Sequence, residues 1–155
     1  MTAKTLLIVT HSQTGTTRQL LEAVLRGVSA AEGEGLTVVV RDALAATPAE
    51  VLSAHGVLLG TPENFGYMSG GLKYFFDRIY QPCLEHTQGL PYGLFIRAGN
   101  DGRGALASIE RIVTGLRWRA IAPPVLMVGE FAATQLLAGE ELGQTMAMGL
   151  AAGIF

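Results

Sequence analysis

Five short apolar runs, each followed by a segment with helical spacing, limit what this chain can fold into more than any other feature. Residues 6–9 are apolar throughout, as a strand covered on both faces must be. Leu20, Leu21, Val24 and Val28 then recur on one helical stripe across residues 18–28. Residues 32–35 form a polar break, and residues 36–40, rich in β-branched side chains, give a second strand. Thr47, Pro48 and Glu50 mark a helix start: a hydroxyl cap, proline at the first position, and an acid three after the cap. That helix ends near Ala54. Residues 56–60 predict a third strand and 70–80 a third helix, with Leu72, Phe75, Phe76 and Ile79 inward. Residues 81–89 are irregular. Residues 92–98 follow as a strand and 105–116 as a helix, with Leu106, Ile109, Ile112 and Val113 inward. Residues 119–128 carry the fifth strand, interrupted by Pro123 and Pro124, which places it at a sheet margin. Residues 140–154 close the chain as a fifth helix.

Alternation at this spacing implies an α/β fold: a parallel sheet with helices on both faces, as one domain over residues 1–155. In such sheets ligands bind beyond the carboxyl ends of the strands, where the strand order reverses. Three unusual loops all follow strands, at residues 10–17, 61–69 and 99–104, so they are expected to converge on one edge.

The first loop reads T-H-S-Q-T-G-T-T. A strand running through a hydroxyl-rich turn into a helix is a natural phosphate cradle, because the first N–H groups of a helix lack partners and its dipole is positive there. Thr10, Ser12, Thr14, Thr16 and Thr17 supply hydroxyls, Gln13 an amide, and Gly15 room for close approach. Arg18 brings certain charge and His11 conditional charge, which points to a phosphate held mainly by neutral hydrogen bonds. The loop lacks the lysine of G-x-x-x-x-G-K-[ST] and the spacing of G-x-G-x-x-G, which argues against an ordinary triphosphatase and gives no support to a standard dinucleotide fold. The same residues also suit a plain helix-capping turn.

The second loop, T-P-E-N-F-G-Y-M-S-G-G, mixes polar Glu63 and Asn64 with Phe65, Tyr67 and Met68. Backbone groups can bond the edge of a flat heteroaromatic ring while the apolar side chains pack on its face. The alternative is a surface loop whose aromatics fold back on the core. The third loop, A-G-N-D-G-R-G, offers glycines and Arg103 but no aromatic.

The chain is 49% hydrophobic and 15% charged, a globular balance. A net charge of −2 argues against a nucleic-acid partner and against a strongly acidic docking face. Cys83, the single cysteine, rules out an intrachain disulfide and a CxxC zinc pattern. No apolar run approaches the ~20 residues that span a bilayer, and the first strand starts too early for a signal peptide. The expected location is cytoplasmic. His55 lies at a strand entry, far from the three loops. His86 lacks metal-ligand partners, and Trp118 reads as a packing or subunit-contact residue.

S-Q-T-G-T-T at residues 12–17 resembles the S/T-x-T-G-x-T phosphate loop of flavodoxins. G-T-P-E-N-F-G-Y-M-S-G-G-L-K-Y-F-F-D at residues 60–77 resembles the matching segment of flavodoxin-like NAD(P)H-dependent FMN and quinone reductases, with Pro62, Glu63, Ser69, Gly70, Leu72, Lys73 and Asp77 at the family's positions. The resemblance implies a flavodoxin-like, doubly wound, five-stranded sheet of order 2-1-3-4-5, and an FMN site. Ser12, Gln13, Thr14, Gly15, Thr16 and Thr17 would hold the phosphate, with His11 just before them in no assigned catalytic role. Thr61, Pro62, Glu63, Asn64, Phe65 and Gly66 would edge the ring, and Gly99, Asn100 and Arg103 would line its other side.

One-electron flavodoxins usually sandwich the ring between aromatics from both loops. The aromatic-free third loop here suits an open face for NAD(P)H or a quinone. The implied activity is hydride transfer from NAD(P)H through flavin N5 to a quinone or other small acceptor. Arg103 would stabilise developing negative charge, and Tyr67 would donate a proton or, by preference, pack. A homodimer or homotetramer follows from the resemblance alone. Two other classes stay open: a one-electron carrier docking a redox partner, and the same fold binding another phosphorylated ligand.

Overall fold

The computed structural model describes residues 3–12, 15–31 and 35–155. Lys4–Thr10 forms β1 and pairs in parallel with β2, Leu36–Asp42, in the register Leu6↔Val38 and Ile8↔Val40. On its other side β1 pairs with β3, Gly56–Asn64, as far as Thr10↔Gly60. The ladder continues through β5, Pro91–Ala98, to β6, Arg119–Ala120, giving the order β2-β1-β3-β5-β6. A further strand, β7 (Val125–Val128), also pairs with β5, from Phe95↔Val125 to Ala98↔Val128. This is the expected 2-1-3-4-5 order with its fifth strand in two pieces. Pro123 and Pro124 lie between the pieces, where a residue without an N–H cannot extend the ladder.

Successive side chains of β1 point to opposite faces. Leu6 and Ile8 join a core with α1 (Gly15–Val28) and α5 (Leu136–Ala151). Leu7 and Val9 join the other core, with α2 (Pro48–Ser53), α3 (Gly70–Cys83) and α4 (Arg103–Leu116). The capping box read at Thr47 and Glu50 is present at the start of α2. The break expected at residues 32–35 falls largely outside the described residues. Helix α3 runs to Cys83, into the stretch expected to be irregular, and carries Pro82 in its last turn; the proline forfeits its bond to the carbonyl four residues back, and the helix ends one residue later. Helix α5 starts at Leu136, earlier than its apolar stripe suggests, out of a 3-10 turn at Ala133–Gln135.

Helices α1 and α5 meet at backbone distance. A Cβ on Gly143 would lie 2.1 Å from the carbonyl oxygen of Val24. Such a seam depends on which two helices are neighbours, so it carries no periodic signal in either one.

Residues 61–64, read as loop, instead extend β3, with Thr61 opposite Ile96 and Pro62 opposite Arg97. The chain then turns at Phe65 and Gly66 into β4, Tyr67–Met68, antiparallel to Glu63 and Asn64. Phe65 and Gly66 have φ of +53° and +70°, the left-handed pair of a tight hairpin turn. Pro62 has no N–H to give the ladder, but β1 stops pairing at Gly60, so beyond it β3 is paired only toward β5. A strand end with one free side tolerates a missing donor. Among the described residues no helix is long and apolar enough to cross a membrane.

Candidate functional site

The end of β1 and the start of α1 hold a cluster of unsatisfied polar groups. Thr17 is fully buried and Thr10 is 8% exposed. The Oγ1 atoms of both, and Nδ1 of His11, have no hydrogen-bond partner among the described residues. Buried polar atoms are nearly always paired, so a group of three at one helix N-terminus calls for a ligand or solvent. Hydroxyls that can donate, beside unpaired helix N–H groups, fit a phosphate oxygen. Gly15 is exposed and Thr16 half-buried in the first turn. Gln13 and Thr14 lie outside the described residues.

The backbone N–H of His11 donates to the Gly60 carbonyl at 3.3 Å, tying the loop to β3. Its Nδ1 lies 3.6 Å from Oδ2 of Asp42. Its ring rests against the first turn of α3, where a Cβ on Gly71 would come within 2.5 Å of it. His11 therefore packs between the ends of β1 and β2 and the start of α3.

The second and third loops come together, as expected. Oε2 of Glu63 accepts the backbone N–H of Ala105 at 3.0 Å, in the first turn of α4. The Gly66 carbonyl sits so close to Gly104 that a Cβ there would be 1.9 Å from it. The N–H of Met68 donates to Oγ of Ser108 at 3.2 Å. Thr61 is fully buried, donates to the Pro62 carbonyl at 2.8 Å and accepts the N–H of Ser69 at 3.0 Å. Ser69 in turn caps α3 by accepting from Leu72 N–H. Oδ1 of Asp101 accepts the N–H of Arg103 at 3.0 Å, closing the third loop on itself.

The polar side chains Thr61 and Glu63 are thus spent on the scaffold, leaving backbone and apolar surface outward. Pro62 is buried and Asn64 half-buried, whereas Gly99, Asn100 and Arg103 are exposed. Phe65 is fully exposed at the hairpin tip, and Tyr67 is 41% exposed. Met68, read with them as ring-facing, belongs to the core on the α3–α4 face because it alternates to the inner side of the hairpin.

Arg97 went unremarked in the sequence. Its guanidinium donates to the carbonyls of Ala98, Met127 and Gly129, locking the ends of β5 and β7 beneath the third loop. A lone arginine inside an apolar run is the available signal, since such a charge must find buried acceptors. On the opposite side of the first loop lies a cavity of about 460 Å³, bounded by Thr10, Ser12, Arg18, Leu21, Val40 and Asp42.

Other singled-out residues are structural. Nδ1 of His55 accepts the N–H of Thr5 at 3.0 Å, at the far end of the sheet. Trp118 is buried, tilted against Phe76 and Tyr92, and donates to Oγ1 of Thr87. Cys83 is buried, and that burial pushes its thiol up to about 11. Such a thiol is inert at neutral pH.

Residues 4–133 match the family described as NADPH-dependent FMN reductase. A flavodoxin of Aquifex aeolicus (strain VF5) is 30% identical over 110 residues, covering 71% of this chain and 58% of that protein. Quinone-oxidoreductase QR2 of Triphysaria versicolor is 36% identical over 73 residues, covering 45% of this chain and 35% of that one. The chain thus matches less than two thirds of the length of either relative. Among solved structures, a flavodoxin from the domain Archaea superposes with a TM-score of 0.80 at 18% identity, covering 94% of this chain and 98% of its own. A WrbA-like flavodoxin from Agrobacterium tumefaciens gives 0.77 at 18% identity, covering 97% and 99%. At that identity these two speak to the fold alone, which is flavodoxin-like. With the family match spanning most of its length, the chain belongs to the NADPH-dependent FMN reductase family.

Proposed function

We propose that this chain binds FMN and uses it to pass electrons from NAD(P)H to a small acceptor such as a quinone. The observation that carries this reading is the group of buried side-chain atoms, Oγ1 of Thr10 and Thr17 and Nδ1 of His11, that have no hydrogen-bond partner among the described residues at the N-terminal end of α1, in a chain of this family. Ser12, Gln13, Thr14, Gly15, Thr16 and Thr17 hold the phosphate by hydroxyl, amide and backbone donors, and Arg18 adds charge from the first turn of α1. Pro62, Asn64, Phe65 and Gly66 edge the ring. Thr61 and Glu63 act indirectly, by fixing the hairpin backbone and its seat on α4. Gly99, Asn100 and Arg103 line the other side.

When bound, FMN supplies the acceptance and donation of hydride, so the protein needs no general base. Its own contribution is positional and electrostatic. The third loop presents no aromatic side chain, which leaves one side of the site open to a donor or acceptor. Arg103, exposed and held by the Asp101 cap on its backbone, places positive charge where negative charge develops on reduction. Tyr67 packs beside the hairpin tip.

A visible spectrum after incubation with FMN and desalting tests the reading, followed by anaerobic addition of NADPH. A retained flavin band bleached by NADPH is the expected result. Similarity to a flavodoxin favours a second reading, a one-electron carrier. In that case FMN is retained, NADPH leaves the band unchanged, and dithionite bleaches it. Failure to retain flavin leaves the loops to another phosphorylated ligand.

A further inference from the structure

The two edges of the sheet are finished differently. One edge is broken into two pieces, Arg119–Ala120 and Val125–Val128, with Pro123 and Pro124 between them. Short pieces and prolines keep further strands from joining a sheet. The other edge is β2, seven residues long without proline, glycine or lysine, against about 5–6 for a usual strand. Among the described residues no strand pairs with its outer side. Of its seven residues only Leu36 is buried; Val38 and Val39 are half-buried and Val40 is 38% exposed. A cavity of about 240 Å³, lined by Val39, Ala49 and Ser53, lies on the α2 face of the strand, and the cavity that reaches Val40 lies on the α1 face. Neither helix layer therefore overhangs this edge.

The N–H of Lys4 donates to the Gly35 carbonyl at 2.8 Å and the N–H of Ala43 to the Thr10 carbonyl at 2.9 Å. Odd-numbered residues of β2 thus turn their backbone groups toward β1, and Val38 and Val40 turn theirs outward. The Val40 carbonyl accepts from Nη1 of the exposed Arg41 at 3.1 Å, a bond that a neighbouring strand can displace. We propose that β2 is a dimer edge: two copies of this chain pair β2 with β2, antiparallel about a two-fold axis, and join their sheets into one. Centred on Val39, the pairing sets Val39 opposite Val39, Val38 opposite Val40 and Thr37 opposite Arg41. The valines then cover one another and no like charges stand opposite. Centring on Arg41 would oppose two arginines. The α1 face adds charge complementarity. Lys4 lies beside Leu36 in the β1–β2 register, and Leu36 lies beside Asp42 of the second copy. Lys4 makes no ion pair among the described residues, and the Asp42 side chain is 53% exposed. Their Cα atoms stand two strand spacings apart, ~10 Å, within reach of the two side chains. Each dimer holds two such pairs. The interface uses neither the ring-edging loops nor a bound flavin, so it stands apart from the flavoprotein reading.

The test is light scattering after gel filtration of the purified chain over a dilution series, with and without FMN. Twice the chain mass at high concentration, falling to the chain mass on dilution, is expected in both cases. Val40→Lys puts a charge on the paired edge, as guarded edges do, and should raise the dissociation constant at least about tenfold with an unchanged circular dichroism spectrum. Lys4→Glu should weaken the dimer a few-fold, more at low salt than at high salt. Introduced cysteines read the register, since the native Cys83 is buried. Val39→Cys brings two thiols together at a Cα separation of about 4.5 Å, inside the range a disulfide spans, and mild oxidation should give a covalent dimer. Thr37→Cys is more exposed but faces Arg41 of the second copy, so it should cross-link far more slowly. The chain mass at every concentration, a dimer that survives Val40→Lys unweakened, or Thr37→Cys cross-linking as fast as Val39→Cys overturns the proposal.

Discussion

The two ends of the candidate site are finished in opposite ways. Around the first loop, Thr10, His11 and Thr17 keep buried polar atoms without hydrogen-bond partners among the described residues. Around the second and third loops, the buried hydroxyl of Thr61 both donates and accepts, Glu63 is bonded to Ala105 N–H, and Asp101 caps Arg103. The other partnerless buried side-chain atoms among the described residues are Nε of Arg78 and Arg97, whose remaining nitrogens bond carbonyls. The first loop therefore carries a desolvation cost that a ligand would offset, whereas the ring side completes itself. One end is shaped by what binds it, and the other is a rigid shelf.

The sharpest way to break this contrast is to unsatisfy the shelf. Thr61→Val removes the acceptor of the buried Ser69 N–H and the donor to the Pro62 carbonyl. It should cost about 3 kcal/mol in urea unfolding, since an orphaned buried donor loses its full desolvation penalty. A loss below about 1 kcal/mol would mean the hairpin is not held as described.

Thr17→Val should do the reverse. The side chain keeps its shape and loses a hydroxyl that bonds nothing among the described residues, so ligand-free stability should hold or rise. FMN binding should weaken about tenfold, read by quenching of flavin fluorescence. A variant that loses stability but keeps FMN affinity would place the hydroxyl in the scaffold. Glu63→Ala is a milder assault on the shelf. It removes a cap from α4 and should cost about 1 kcal/mol. FMN affinity should fall less than for Thr17→Val, because the carboxylate acts on α4 and touches the ring site only through the hairpin.

What the sequence disclosed follows the same division. The first loop was readable because strand, hydroxyl run and helix are consecutive, and helix-end chemistry is local. Thr47 and Glu50 were readable for the same reason. Glu63 was visible as a polar loop residue, but its partner is 42 positions away, so its capping of α4 left no trace. The β3–β4 hairpin was read as loop, because pairing beyond Gly60 depends on which strand stays beside β3. The backbone contact at Gly143 needs both α1 and α5 to exist first. Contacts set by neighbouring strands and helices emerge only once the sheet order is fixed.

The smallest effect concerns the core beneath the shelf. Cys83 and Tyr92 both lie in the cluster shared by α3 and α4. Burial raises the Cys83 thiol from 9.0 to about 11. Tyr92 is also raised, by burial and then by the charge of Glu110. For an acid that is neutral when protonated, a raised folded value means the unfolded chain releases its proton first. The unfolded state then binds fewer protons than the native state between pH 9 and 11, so stability falls as pH rises through that window. Urea midpoints measured across it should decline. Cys83→Ala should lower the midpoint at neutral pH but flatten the decline, leaving the part due to Tyr92. Ligand-free protein should show the same alkaline slope in Thr17→Val, because that change lies at the first loop and removes no titrating group. A slope that disappears with Thr17 rather than with Cys83 would put the alkaline weakness at the phosphate end and erase the contrast between the two.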